Sequence, residues 1–208
     1  MDFSFSDEQT LLQDTIARYI QNEYSFETRQ KIVQEEIGYS TAVWKKYAEL
    51  GWLGVPFPEE DGGFDGTAVE GMIMLEQFGK GLVVEPFLAT VVLAGGALKI
   101  GGSRTQKGKY LSGVIDGSLQ GALAYAEPQG RFNLADLITK AEKDGDGYLI
   151  NGYKAVVLNG PSANFFVVSA RTSGKQRDTQ GVSLFLVDAD TPGISRRDYP
   201  TVDAMRAS

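Results

Sequence analysis

The chain has 208 residues, 42% of them apolar and 11% aromatic, enough to bury one large core or two smaller ones. It contains no Cys and no His, which removes disulfides, thiolate nucleophiles, iron–sulfur ligation and imidazole chemistry. A formal charge of -7 and a pI near 4.7 argue against nucleic acid and anionic membranes as partners, because both are bound through clustered Lys and Arg.

The first ten residues, MDFSFSDEQT, are acidic and polar, unlike a signal or transit peptide. The longest apolar run, Pro86 to Leu98, is too short to span a bilayer, so a cytoplasmic protein is expected. Ser6 with Gln9 forms a capping-box pattern ahead of Leu11, Leu12, Ile16 and Ile20 at helical spacing. This predicts a helix from Asp7 to Glu23, with Phe3 or Phe5 as a staple. A second helix is predicted across Phe26–Glu36, and a third behind the cap Ser40, with Val43, Trp44, Tyr47 and Leu50 on one face and Gly51 or Gly54 as terminator. Val55-Pro56-Phe57-Pro58 is extended and Glu59 to Gly66 a loop. Thr67 with Glu70 starts another helix, running to Gly79 or Gly81. Phe87 to Leu98 is apolar all round and reads as a buried helix. Ser103 with Gln106 starts a short basic helix through Lys107 and Lys109 to Leu111, and Gly113 and Gly117 bracket a turn.

Beyond Leu119 the helical period stops. The runs 119–126, 137–143, 148–150, 153–158, 165–170 and 182–187 read as strands, and Leu123 to Ala163 as a β-meander punctuated by Pro128, Asp144-Gly145-Asp146-Gly147 and Asn151-Gly152. The fold class is therefore α+β, with an all-α first domain over residues 1–118 and an antiparallel β domain over residues 119–208. Arg171 to Thr179 reads as a solvated hairpin connection. A ligand belongs at the change of period, near Leu123.

Few polar groups are candidates for chemistry. Glu59, Glu60 and Asp61 could bind a metal, but contiguous carboxylates beside glycines suit a solvated loop better. Asp144 and Asp146 lack the later bidentate Glu of a calcium loop and suit a tight hairpin. Gly101-Gly102-Ser103 could receive a phosphate, though a plain helix start is the simpler reading. Glu127, a carboxylate before a proline at a strand end, stands out, and its simpler reading is structural. No nucleophile–base pair is visible.

Four motifs in order carry a resemblance: WKKYAELGWLGVPFPEEDGGFDG at Trp44–Gly66, EQFGKG at Glu76–Gly81, AYAEPQGRFNLAD at Ala124–Asp136, and GDGYLINGYKAVVLNGPSANFFVVSART at Gly145–Thr172. Together they resemble the acyl-CoA dehydrogenases, and within them the small-subunit type of the pimeloyl-CoA dehydrogenases. The resemblance implies a helical domain, a middle β-barrel and a C-terminal four-helix domain that is missing here. The 208 residues therefore read as part of a longer chain, with an incomplete barrel.

The resemblance also implies FAD and an acyl-CoA substrate oxidised to the trans-2-enoyl-CoA, with an electron-transfer partner protein and a homo- or hetero-oligomer. A Glu takes the α-proton and the β-hydrogen leaves as hydride to flavin N5. That Glu belongs to the C-terminal domain, so no catalytic base is assigned here. Flavin contacts carried over position by position are Leu123, Tyr125, Ala126, Arg131, Phe132, Val156 and Leu158. Ala126 stands where the family has Thr, Arg131-Phe132 where it has Gly-Ser, and Val156 and Leu158 where it has Trp and Thr. Each unreplaced hydrogen bond is worth about 1 kcal/mol, so a non-catalytic subunit with a degenerate flavin site is the alternative, and a CoA-thioester binding module a third reading. Without a ligand, Leu123, Tyr125, Val156 and Leu158 would simply pack together as core.

Overall fold

The structure, a computed structural model, describes residues 4–208; the candidate staple Phe3 lies outside them. Helix α1 spans Asp7–Glu23 behind Ser6, whose hydroxyl accepts the Gln9 N–H at 3.2 Å while Gln9 Oε1 accepts the Ser6 N–H at 3.0 Å. Helix α4, Ala68–Lys80, starts with the same device at Thr67 and Glu70, and Gln9 Nε2 donates to Glu70 Oε1 at 2.7 Å. The two capping boxes thus also fix how α1 and α4 lie together.

Helix α2 covers Phe26–Ile32 and stops short of the predicted Glu36. Arg206, far along the chain, donates to the carbonyls of Val33, Glu35 and Glu36, which a continuing helix would use internally. Gly38, at φ 74°, lies so close to this guanidinium that a Cβ would fall 2.9 Å from Arg206 Nε. Helix α3, Thr41–Glu49, buries Trp44 and Tyr47 and ends at left-handed Gly51. The all-apolar stretch is helical as expected: a π-helical segment, Leu88–Gly95, runs into α5, Gly96–Gly101. After α6, Arg104–Gln106, a second π-helical segment over Lys107–Leu111 runs into α7, Ser112–Ile115. Gly113 therefore lies within helix, and the turn comes at Gly117, φ 78°.

The strands are β1 Gly121–Ala124, β2 Lys140–Asp144, β3 Gly147–Asn151, β4 Phe165–Arg171 and β5 Val182–Asp188, with a small pair of β6 Tyr199–Pro200 and β7 Arg206–Ala207. They correct the sequence reading in three ways. The main sheet is open and mixed rather than an antiparallel barrel: β4 pairs antiparallel with β5 but parallel with β1. Residues 125–164 connect β1 to β4, a length that allows a parallel crossover. Residues 123–163 are consequently no meander, because β1 and β2 do not pair with each other. The predicted strand 153–158 forms only a bridge at Leu158 to Ala207, since Val156 turns to φ 54° and breaks the extended backbone.

Both β1 and β2 lie against β4. Ala124 pairs with Val168 and Lys140 with Arg171, three residues further along β4. Residues 125–139 are thus an excursion from the sheet whose two ends are pinned close together. One core joins helices and sheet: Phe165 and Val167 of β4 pack with Trp44, Trp52, Phe78, Phe87, Val91 and Leu111. Gly121 makes the close approach possible, as a Cβ there would sit 2.8 Å from Ala94 Cβ and 2.5 Å from the Phe165 ring.

Candidate functional site

The neck of the excursion is closed by Glu127. Its carboxylate accepts the N–H groups of Ile138 at 2.7 Å and Thr139 at 3.1 Å, the Gln129 amide at 2.8 Å, and the Lys154 ammonium at 2.8 Å. The carboxylate side chain is 1% exposed. Burial alone would raise its pKa, but the Lys154 ammonium and the converging donors outweigh it and hold the group down at about 2. Burial lowers the pKa of Lys154, partly offset by Glu127. Lys154 also donates to Ser169 Oγ at 3.0 Å and to the Tyr125 carbonyl at 3.4 Å. Glu127 is therefore a structural tie: all its acceptor capacity is turned inward.

The far side of the excursion is held by the β4–β5 hairpin. Asp136 accepts Gln176 Nε2 at 2.6 Å and Arg177 Nε at 2.8 Å, which lower its pKa in that order of weight. Arg171 corrects the picture of a merely solvated connection. It is buried, and its guanidinium donates to the carbonyls of Ala135, Ser173, Gln176, Asp178 and Gln180.

The seven positions chosen from the sequence separate in the structure. Leu123 is partly buried and packs against the main core. The Ala155 N–H donates to the Ala126 carbonyl at 2.9 Å and brings the chain at Val156 beside Tyr125 and Ala126, while Leu158 bridges Ala207. Tyr125 is 41% and Val156 53% exposed, so these two do not close into a core with Leu123. Arg131 and Phe132 lie on the excursion, Arg131 at φ 48° and exposed, Phe132 100% exposed.

The other candidates take their simpler readings. Glu59–Asp61 form a 3-10 turn with Asp61 3.3 Å from Lys107 Nζ, Asp144 and Gly147 close a tight β2–β3 hairpin, and Ser103 caps α6. Among the described residues no group of three His, Cys, Asp or Glu could hold a metal ion, and no helix is long and apolar enough to cross a membrane. A cleft of about 680 Å³ lined by residues such as Tyr39, Trp44, Lys45 and Asn164 contains none of the positions selected from the sequence.

Sequence reasoning missed Lys154, Ser169, Asp136, Gln176 and Arg177, whose partners are 15 to 41 residues apart. Asn159 was missed as well: left-handed at φ 58°, it donates to Gln120 Oε1 at 3.1 Å across the same region. Asn in the left-handed region was the one local signal available.

A flat, polar-edged ring such as a flavin can be tested against these groups. The N–H groups of Ala126, Val156 and Leu158 donate to no acceptor among the described residues. The left-handed turn at Val156 presents an apolar side chain outward next to Tyr125. Free donors bordering an exposed apolar surface fit a ring with acceptors on its edge. The hydroxyls that would add to them are absent at Ala126, Leu158 and Phe132.

Known proteins match this architecture. The family model for the acyl-CoA dehydrogenase N-terminal domain matches residues 6–118, and that for the middle domain residues 122–208. The mitochondrial isovaleryl-CoA dehydrogenase of Pongo abelii is 31% identical over 193 residues, covering 91% of this chain and 46% of that protein. The solved FAD complex of PigA superposes with a TM-score of 0.89 at 28% identity, over 100% of this chain and 55% of the other. The ChsE4–ChsE5 complex from Mycobacterium tuberculosis gives a TM-score of 0.87 at 26% identity, over 99% and 54%. The chain thus spans about half the length of the curated relatives and solved structures it matches. Both family models, covering nearly all of a chain with the same helical layer and sheet, lead to one conclusion: the chain belongs to the acyl-CoA dehydrogenase family.

Proposed function

We propose that this chain supplies the N-terminal and middle domains of an FAD-dependent acyl-CoA dehydrogenase. The observation that carries this reading is the set of free N–H donors at Ala126, Val156 and Leu158 around an outward-turned Val156. Bound there, FAD would supply the electron sink that accepts the β-hydrogen as hydride once the α-proton has been removed, leaving a trans-2-enoyl thioester. This chain's residues hold and orient. The N–H groups of Ala126, Val156 and Leu158 would donate to acceptors of the flavin, and Tyr125, Val156 and Leu158 would supply apolar contact to it. Arg131, whose guanidinium makes no hydrogen bond or ion pair among the described residues, offers a fork of donors to a phosphate or to a terminal carboxylate of a dicarboxylyl-CoA, as in the pimeloyl-CoA type. Glu127, the carboxylate beside these positions, is fully engaged and is not free to serve as the base. Electrons would then pass to a separate electron-transfer protein, and the working unit would be an oligomer in the cytoplasm.

One observation favours a second reading, a subunit that assembles without redox chemistry of its own. At Ala126, Phe132 and Leu158 the side chains offer no hydrogen bond, and the similar ChsE4–ChsE5 structure is a complex of two different chains. The purified protein, alone and with its partner subunit, distinguishes the two by its absorbance. Flavin bands that survive gel filtration are the expected result; a colourless protein that still assembles would establish the second reading.

A further inference from the structure

We infer that the β4–β5 hairpin is a clamp that presents Arg131 to the anionic part of the ligand, with Asp136, Gln176 and Arg177 as its positioning residues. This rests on the proposed function above for the identity of the ligand, but on geometry alone for the clamp. Among the described residues, hydrogen bonds hold the excursion 125–139 in two regions, its neck and the stretch 135–137. Glu127 and Lys154 close the neck, and Ala135–Leu137 are fastened to the hairpin: Ala135 by Arg171 at 2.7 Å, Asp136 by Gln176 and Arg177 at 2.6 and 2.8 Å, and the Leu137 N–H by the Gln176 carbonyl at 3.0 Å.

Between these anchors the chain is tightly turned. Asn133 donates to the Gly130 carbonyl and Asp136 to that of Asn133, and Gly130 sits where a Cβ would meet the Asp136 carbonyl oxygen at 3.0 Å. The turn leaves Arg131 and Phe132 outward and without partners. Arg131 is held at φ 48°, a conformation that a non-glycine residue keeps only where its surroundings enforce it.

The pairing at Asp136 is lopsided: its side chain is 3% exposed and that of Arg177 73%. A buried carboxylate that draws its partners from a solvent-exposed hairpin makes the loop's shape depend on that hairpin. Changes in the hairpin should therefore alter ligand affinity without touching the ligand.

The test uses the complete protein, with any partner subunit, and two probes, FAD and free CoA. Arg177→Ala removes the exposed half of the pair, and Gln176→Ala serves as a second variant that leaves both charges in place. Hydrogen exchange at residues 129–137 should rise at least tenfold in Arg177→Ala while the Glu127–Lys154 neck stays protected. Affinity for FAD or CoA should fall about tenfold, with KM rising and kcat changing less than threefold. Because the clamp acts through Arg131, the double variant Arg131→Ala/Arg177→Ala should bind no more weakly than Arg131→Ala alone. Unchanged exchange, a looser loop with ligand affinity within twofold, or additive losses in the double variant would each overturn the clamp. Failure of the wild-type protein to bind FAD while CoA binding still responds to Arg177→Ala would instead overturn the flavin reading and leave the clamp standing. A wild-type protein that binds neither probe overturns both.

Discussion

The Glu127 carboxylate, met by three N–H donors and a buried ammonium, stays ionised and ties both ends of the excursion to the sheet. Its folded-state pKa of about 2 lies below the ordinary value of 4.5. The stabilisation it provides is therefore full above the unfolded value and is lost as pH falls from roughly 4.5 toward 2. Glu127→Gln leaves Lys154 buried without its counter-charge and should lower stability at pH 7 by about 3 kcal/mol. The gap between variant and wild type should narrow as pH falls from about 4.5 and close only below about pH 2, as read from urea midpoints across pH. A gap that does not narrow between pH 5 and pH 2 would mean that the loss is packing rather than charge.

The element with most at stake is the segment 153–158, which has the composition of a strand and does not form one. Val156 at φ 54° is a β-branched residue in a region that costs about 1–3 kcal/mol, and the strain turns its side chain outward and leaves neighbouring N–H groups free. Val156→Gly should relieve that strain. After the entropic cost of glycine, about 0.5–1 kcal/mol, it should raise stability by about 1 kcal/mol in thermal melts. The same change removes the apolar cover and should weaken FAD binding in a fluorescence titration. A variant that gains stability and keeps full affinity would separate the strained backbone from the site.

At the scale of the whole molecule, we propose a boundary near residue 118 between two domains that share one core. Phe165 of β4 is fully buried, with its ring 4.8 Å from that of Tyr110 in the helical layer. Phe165→Ala should cost about 3–5 kcal/mol. It should also lower the helical and the aromatic signals together in one transition, because the cavity opens in a core that both layers use. Two separated transitions, with the helical one unmoved, would show that the layers unfold independently.

Features that depend on near neighbours are legible in the chain's local spacing. The capping boxes at Ser6, Thr67 and Ser103, a glycine stop at Gly51 or Gly54, of which the structure uses Gly51, and the Asp144–Gly147 hairpin all follow from residues within a turn of one another. The motif order, which spans almost the whole chain, was enough to point to the family. Tertiary structure decided what depends on distant partners. Arg206 ends α2, the parallel pairing of β1 with β4 replaces the expected barrel, and Lys154 and the hairpin shape the excursion. Of the seven site positions, Tyr125, Ala126 and Val156 are gathered by the Ala155–Ala126 contact, Leu158 bridges Ala207, Leu123 is drawn into the core, and Arg131 and Phe132 are carried by the excursion. Local spacing cannot foresee this. A hydrogen bond between residues tens of positions apart leaves no period in the sequence, and a backbone turn at a valine is imposed by the contacts around it.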